Sequence, residues 1–167
     1  MNVKFINPFI GSIKRVFETM VEVKVRVGKP VVRHDACASA DVSGIIGFSG
    51  DAVGCVVLSF PKSVACSVAS QFAGIEIDEN HPDFADAVGE LANMVAGGAK
   101  IDFEGMNISI SLPSVVIGTS HKISQSKLFP RIVIPCECEL GAIFVEIGME
   151  ITKTKTTANL AAAGVNR

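Results

Sequence analysis

Glu90 and Asn93 stand three residues apart within the stretch 81–104 (HPDFADAVGELANMVAGGAKIDFE), and a carboxylate paired with an amide suits few reactions. Neither group is a strong nucleophile, and no Ser-His-Asp or Cys-His arrangement is legible from the spacing of the chain. An amide can hold and aim a water molecule, and a carboxylate can pair with a cation on a visiting substrate. If that substrate brings its own metal ion and electrophile, Asn93 needs only to align the attacking water while Glu90 engages the cation. The chain then supplies half of a site.

A helix is the element that places these groups together. At ~100° per residue, Asp83, Asp86, Glu90, Asn93, Gly97 and Lys100 fall within an arc of ~100° and share one face. Phe84, Ala87, Val88, Leu91, Met94, Val95 and Gly98 form the apolar stripe opposite. Pro82 suits a first helical position with Asn80 or His81 as cap, and Asp83 and Asp86 put negative charge at the positive end of the helix dipole. Asp86 reads as such a charge or as a water-binding neighbour, and Lys100 as a solvated cation. Ala85, Gly89, Ala92 and Ala96 carry almost no bulk, so the polar ridge stands above a low flank. Each of Gly89, Gly97 and Gly98 costs a helix about 1 kcal/mol relative to alanine; close approach of another backbone is one explanation for them.

The other elements follow from periodicity. Residues 7–20 repeat apolar positions at helical steps, with Pro8 tolerated in the first turn. Residues 21–27 alternate valine with charge and predict a strand that ends at Gly28-Lys29-Pro30. Residues 31–40 read as a loop with an edge strand around Val31 and Val32. Residues 41–48 and 52–60 form an antiparallel hairpin across Ser49-Gly50-Asp51, and the second of these strands is apolar on both faces. A second helix follows Pro61 and stops at Gly74. Residues 107–116 predict a strand interrupted at Pro113. Residues 118–129 read as an exposed loop with a solvated His121, and 131–137 with 141–148 make a last hairpin. Strand pairs grouped around long helices give an α+β layered domain over residues 1–150, with an antiparallel-rich sheet. Residues 151–167 are expected to be a flexible tail. No internal repeat is visible in the sequence.

Composition narrows the function. The chain has 167 residues, is 49% hydrophobic and carries a formal net charge of −2, with a mean hydropathy of +0.44; this supports a full core and excludes disorder for most of its length. The absence of a Lys/Arg cluster argues against nucleic acid, which needs a basic surface. No apolar run reaches the ~20 residues of a membrane span and the first residues do not resemble a signal peptide, so a cytoplasmic location is expected. Five cysteines are an odd count. Cys55 and Cys66 in apolar runs read as buried free thiols, and Cys136 and Cys138 lie at strand spacing, poorly placed to bond each other. His34 and Cys37 have metal-like spacing but no second pair, so a solvated loop is the simpler reading.

The opening INPFIGSIKRVFETM, the hairpin GIIGFSGDAVGCVVLSFP and the motif Glu90-Leu91-Ala92-Asn93 resemble the CheX branch of the CheC/CheX/FliY chemotaxis phosphatases over roughly residues 1–150. That resemblance implies hydrolysis of the phosphoryl-aspartate of a response-regulator receiver domain such as CheY. Glu90 would pair with the regulator's active-site lysine, and Asn93 would enter its acidic pocket to position water. The family pattern also has an Asp or Ser four residues before the Glu, filled by Asp86, and a Pro some twenty residues past the Asn, filled by Pro113, which would shape the strand beside the site. CheC-type members repeat the motif on their first helix. Residues 7–20 contain no such motif, so one site per chain fits the CheX branch. The resemblance further implies a homodimer joined at strand edges and Mg²⁺ supplied by the regulator, with no metal ligands on this chain. The competing reading is a dimeric adaptor that docks a receiver domain or a flagellar-switch partner without catalysis, because fold alone does not settle function.

Overall fold

In the computed structural model, which describes residues 5–33, 40–119, 121–123 and 130–152, one eight-stranded antiparallel sheet carries three helices on one of its faces. The helices are α1 (Asn7–Val16), α2 (Lys62–Ala73) and α3 (Phe84–Ile101). The strands are β1 (Arg26–Val27), β2 (Val31–Arg33), β3 (Val42–Gly50), β4 (Ala52–Phe60), β5 (Ile108–Ile110), β6 (Ser114–Ile117), β7 (Arg131–Cys138) and β8 (Gly141–Ile151). This is the expected layered α+β class. The sheet buries alternate residues against the helices: Val42, Ile46 and Phe48 of β3, Val56, Leu58 and Phe60 of β4, Ile132 and Ile134 of β7, Val145 and Ile147 of β8. Phe9 of α1 meets Phe48 edge-on at 5.8 Å between ring centres.

The sheet order is a palindrome. β1 and β2 both pair with β7, β5 and β6 both pair with β3, and β8 and β4 meet at the centre. The first half of the chain (α1, β1/β2, β3, β4) therefore has the same plan as the second (α3, β5/β6, β7, β8), and the halves exchange their broken edge strands. The register agrees. Ser12 of α1 donates a hydrogen bond to the carbonyl of Val95 on α3, 83 residues on, and the same 83 residues separate Pro30 from Pro113, each at the break of its edge strand. Glu22 and Gly105, again 83 apart, both adopt the left-handed conformation just after their helices. The repeat that the sequence does not reveal exists in the backbone, where pairing preserves geometry while side chains diverge.

Other expectations need correction. Residues 21–27 do alternate in burial, with Val21, Val23 and Val25 inside and Glu22, Lys24 and Arg26 outside, but only Arg26 and Val27 join a ladder. A π-helical turn (Phe17–Val21) precedes them, and the reversal at Glu22, whose φ is 59°, delays the strand. His121 is not solvated. It is half-buried, with Nε2 2.9 Å from the Ser43 hydroxyl and Nδ1 2.8 Å from the Gly118 carbonyl, and Ser43 in turn lies 2.8 Å from Ser59. Cys55 and Cys66 are half-buried rather than buried, and neither is in a disulfide. Cys136 and Cys138 are buried and unbonded to each other. His34, Cys37 and the tail beyond Thr152 lie outside the described residues, although Ile151 still pairs with Ala52 and Thr152 donates to the Asp51 and Gly50 carbonyls.

The sheet face away from the helices holds a buried ion pair. Arg131 of β7 donates to Glu146 of β8 at 2.7 Å, and their side chains are only 7% and 3% exposed. Arg131 also donates to the Ile123 carbonyl, and its Nε has no hydrogen-bond partner among the described residues. Burial pushes the Glu146 carboxyl above the usual glutamate range, against the opposing pull of Arg131.

Candidate functional site

The long helix begins later than its sequence suggests. Asp83 is the cap and Phe84 the first helical residue, because residues 81–84 are held in a turn: the His81 ring accepts the Asp83 amide proton at 3.2 Å and the His81 carbonyl accepts that of Phe84. Pro82 thus precedes the helix, and neither Asn80 nor His81 caps it. Asp86 in the first turn complements the dipole as expected, and Lys100, read as a solvated cation, is exposed in the last turn. At its far end Arg15 of α1 bonds both the Gly98 carbonyl and Asp102, at 3.3 and 3.1 Å, and ties the two helices together.

The inner side of α3 is fixed to the sheet. Leu91, Val95 and Ala99 are fully enclosed, and Ala92 rests on Gly44 of β3, where a Cβ would come within 2.7 Å of the alanine methyl. Ala92 and Ala96 therefore belong to the core rather than to the low flank of the ridge. The outer side carries Asp86 and Glu90, both exposed, with Asn93 half-exposed one turn on. None of the three side chains makes a hydrogen bond or ion pair among the described residues. Their orientation comes from the helix alone.

Beside the ridge lies an open groove lined by Ala85, Asp86, Gly89, Glu90, Pro113 and Val115. Four residues singled out from the sequence, Asp86, Gly89, Glu90 and Pro113, thus meet in one place. Asn93 adjoins the groove at the next turn. The reason for Gly89 is visible: a Cβ there would sit 3.3 Å from two carbons of Pro113 and 3.3 Å from Val115. The break between β5 and β6 brings Pro113 onto the helix, and glycine lets it approach. Gly97 has no such role. A Cβ there would meet only Ile110, at 3.9 Å, an ordinary contact. Gly98 instead accommodates Ser12. A direct consequence is that Gly97→Ala should stabilise the protein by about 0.5–1 kcal/mol through helix propensity. Gly89→Leu should cost about 1–3 kcal/mol by overpacking against Pro113. Chemical denaturation of the two variants beside the wild type measures both.

Ala85, expected on the low flank of the ridge, lines the groove, and so does Val115, which was not anticipated. Val115 could have been found from its place two residues past Pro113, at the spacing that puts side chains on one face of an extended segment. Elsewhere, Ser43 with His121 has the atoms of a hydrolytic dyad, but Ser43 is fully buried and no substrate reaches it. Burial pushes the Cys55 and Cys136 thiols up to about 11, which leaves them protonated and poorly nucleophilic at neutral pH. Among the described residues no three His, Cys, Asp or Glu side chains gather to hold a metal ion, and no helix is long and apolar enough to cross a membrane.

The antiparallel sheet with its helices matches the fold of solved CheC-like and CheX proteins. A CheC-like superfamily protein from Shewanella sp. PV-4 superposes with a TM-score of 0.82 at 34% identity, over 90% of this chain and 99% of that one. A chemotaxis protein CheX from Desulfovibrio desulfuricans superposes with a TM-score of 0.79 at 32% identity, over 88% and 98%. The family described as chemotaxis phosphatase CheX matches residues 42–137, and a Thermotoga maritima protein named CheY-P phosphatase CheX is 31% identical over 129 residues, 75% of this chain and 83% of that relative. The chain belongs to the CheX family.

Proposed function

We propose that this protein hydrolyses the phosphoryl-aspartate of a CheY-like response-regulator receiver domain in chemotaxis signalling. The observation that carries the reading is the ridge itself: Glu90 and Asn93, one turn apart, lie on the outer face of the helix and make no hydrogen bond or ion pair among the described residues. Its support is the name of the Thermotoga relative, CheY-P phosphatase CheX.

In this reading the ridge enters the pocket of the receiver domain. The Asn93 carboxamide takes a hydrogen bond from one water and sets its oxygen in line with the phosphorus. As the new P–O bond forms, the bond to the aspartyl oxygen breaks, releasing inorganic phosphate and the free carboxylate. Phosphoryl transfer of this kind demands position rather than a strong base, so an amide suffices. Glu90 pairs with a lysine beside the phosphoryl group and fixes the register of the ridge. Asp86 and the Pro113–Gly89 contact hold that register from the side. Mg²⁺ is held by the receiver domain's carboxylates and neutralises phosphoryl charge there.

The test is phosphate release from a Mg²⁺-loaded CheY-like receiver domain phosphorylated by acetyl phosphate, with this protein in catalytic amounts. Release should accelerate over many turnovers; decay at the receiver's own rate would instead leave an adaptor that binds without catalysis. For Glu90→Ala, binding to the same receiver activated by beryllofluoride should weaken by about fivefold at low salt, and the difference should shrink at high salt because an exposed ion pair is screened. Titration at two ionic strengths measures it, and equal affinity at low salt would remove that role from Glu90.

A further inference from the structure

Two large apolar side chains stand almost free of the molecule: Leu112 is 87% exposed and Ile101 79%, while no other exposed large hydrophobic among the described residues exceeds 53%. Both flank the ridge. Leu112 precedes Pro113, the residue seated on Gly89 beside Glu90. Ile101 lies eleven residues past Glu90, three helical turns along and within ~20° of the same line.

The fold supplies its own control. In the other half of the palindrome the helix is α1 and the broken edge strand is β1/β2. Moving back by the 83 residues that relate Val95 to Ser12 and Pro113 to Pro30 takes Glu90 to Asn7, Asn93 to Ile10, Leu112 to Lys29 and Ile101 to Glu18. The half without the acid–amide pair carries charge at both flanking positions. The half with the pair carries bare hydrocarbon there. Single exposed apolar residues are ordinary on a protein surface; what marks these two is that both lie beside the acid–amide pair while both symmetry-related positions carry charge.

We infer that Leu112 and Ile101 are docking contacts that grip apolar surface of the phosphorylated receiver domain on either side of its phosphoryl pocket, with Leu112 a specificity-determining residue. The inference rests on the proposed phosphatase reading and extends the same surface. The occupant has three matching features: a cation opposite Glu90, a phosphoryl-carboxylate opposite Asn93, and apolar side chains opposite Leu112 and Ile101. The leucine and isoleucine touch no reacting atom, so they contribute to binding and leave the chemical step alone.

The experiment is steady-state phosphate release from the acetyl-phosphate-phosphorylated, Mg²⁺-loaded CheY-like receiver domain by wild type, Leu112→Asp, Leu112→Met, Ile101→Asp and Lys29→Asp. Leu112→Asp should raise KM about tenfold with kcat unchanged, the cost of losing one well-buried apolar contact. Ile101→Asp should raise KM in the same sense. Leu112→Met should restore the wild-type KM, and Lys29→Asp, in the half without the motif, should match wild type. Unchanged KM in Leu112→Asp overturns the inference while wild-type turnover leaves the phosphatase reading standing. So does a fall in kcat at constant KM, which would mean that Leu112 acts only through Pro113. If the wild type itself does not accelerate release, the phosphatase reading fails and takes this inference with it. Because both side chains project into solvent, the variants keep their fold, which an unchanged melting profile verifies.

Discussion

Asn93→Ala removes acceleration of phosphate release altogether, returning a phosphorylated receiver domain to its own decay rate. Asn93 is half-exposed on the outer face of α3, bonded to no described residue, so truncating it leaves the core untouched and does not increase burial of any polar group. In the proposed mechanism, what it removes is the group that fixes a water in line with phosphorus. Losing that alignment costs about 100-fold or more, or ~2.7 kcal/mol of barrier. The loss falls on kcat, with KM close to wild type, because Glu90 and the rest of the docking surface are unchanged. Single-turnover release at saturating enzyme isolates the chemical step. An Asn93→Ala variant that retained wild-type kcat would take the amide out of the mechanism.

The second large effect concerns stability. Arg131→Met leaves Glu146 in a site 3% exposed without its partner, and breaking one side of a buried ion pair typically costs about 3–5 kcal/mol. For a domain whose net stability is of order 5–15 kcal/mol, that is a large fraction. Replacing both partners, Arg131→Met with Glu146→Leu, should recover most of the loss, since an apolar pair removes the desolvation penalty of the two buried charges. The pH profile carries the same signature. The Glu146 carboxyl titrates above its unfolded value because burial disfavours its charge. Between the ordinary glutamate pKa and that raised value, the native state holds a proton that the unfolded chain has lost. The contribution of Glu146 to stability therefore rises as pH falls through this window and is constant below it. In Arg131→Met the lowering influence of the guanidinium is gone and the window extends upward. Denaturant titrations across mildly acidic to neutral pH measure both effects; a single variant as stable as wild type would show that the pair is not what organises this face.

Much of this architecture is written locally. The β3–β4 and β7–β8 hairpins follow from alternation and turn residues, α2 ends at a left-handed Gly74 as its sequence demands, and Pro113 breaks the edge strand where it stands. The ridge was legible for the same reason: helical spacing fixes which residues share a face before any tertiary contact exists. What escaped was non-local. β1 and β2 pair with β7 across a hundred residues of chain, and no local pattern states that partnership or the palindrome it completes. Val21, Val23 and Val25 show the limit well, because alternation specified which side chains are buried but not whether their backbone joins a ladder. His121 looked like a loop residue because its partner, Ser43, lies far away in sequence. Of the candidate site, the acid, the amide and the proline were readable, whereas the reason for Gly89 needed the packing of Pro113.

A crystal structure of this protein bound to a Mg²⁺-loaded CheY-like receiver domain carrying beryllofluoride in place of phosphoryl examines the account at its centre. The Asn93 carboxamide should lie within hydrogen-bond reach of the in-line water position, and the Glu90 carboxylate on a lysine of the receiver. A complex in which the receiver sits elsewhere on the molecule, with the α3 ridge left open to solvent, would contradict it.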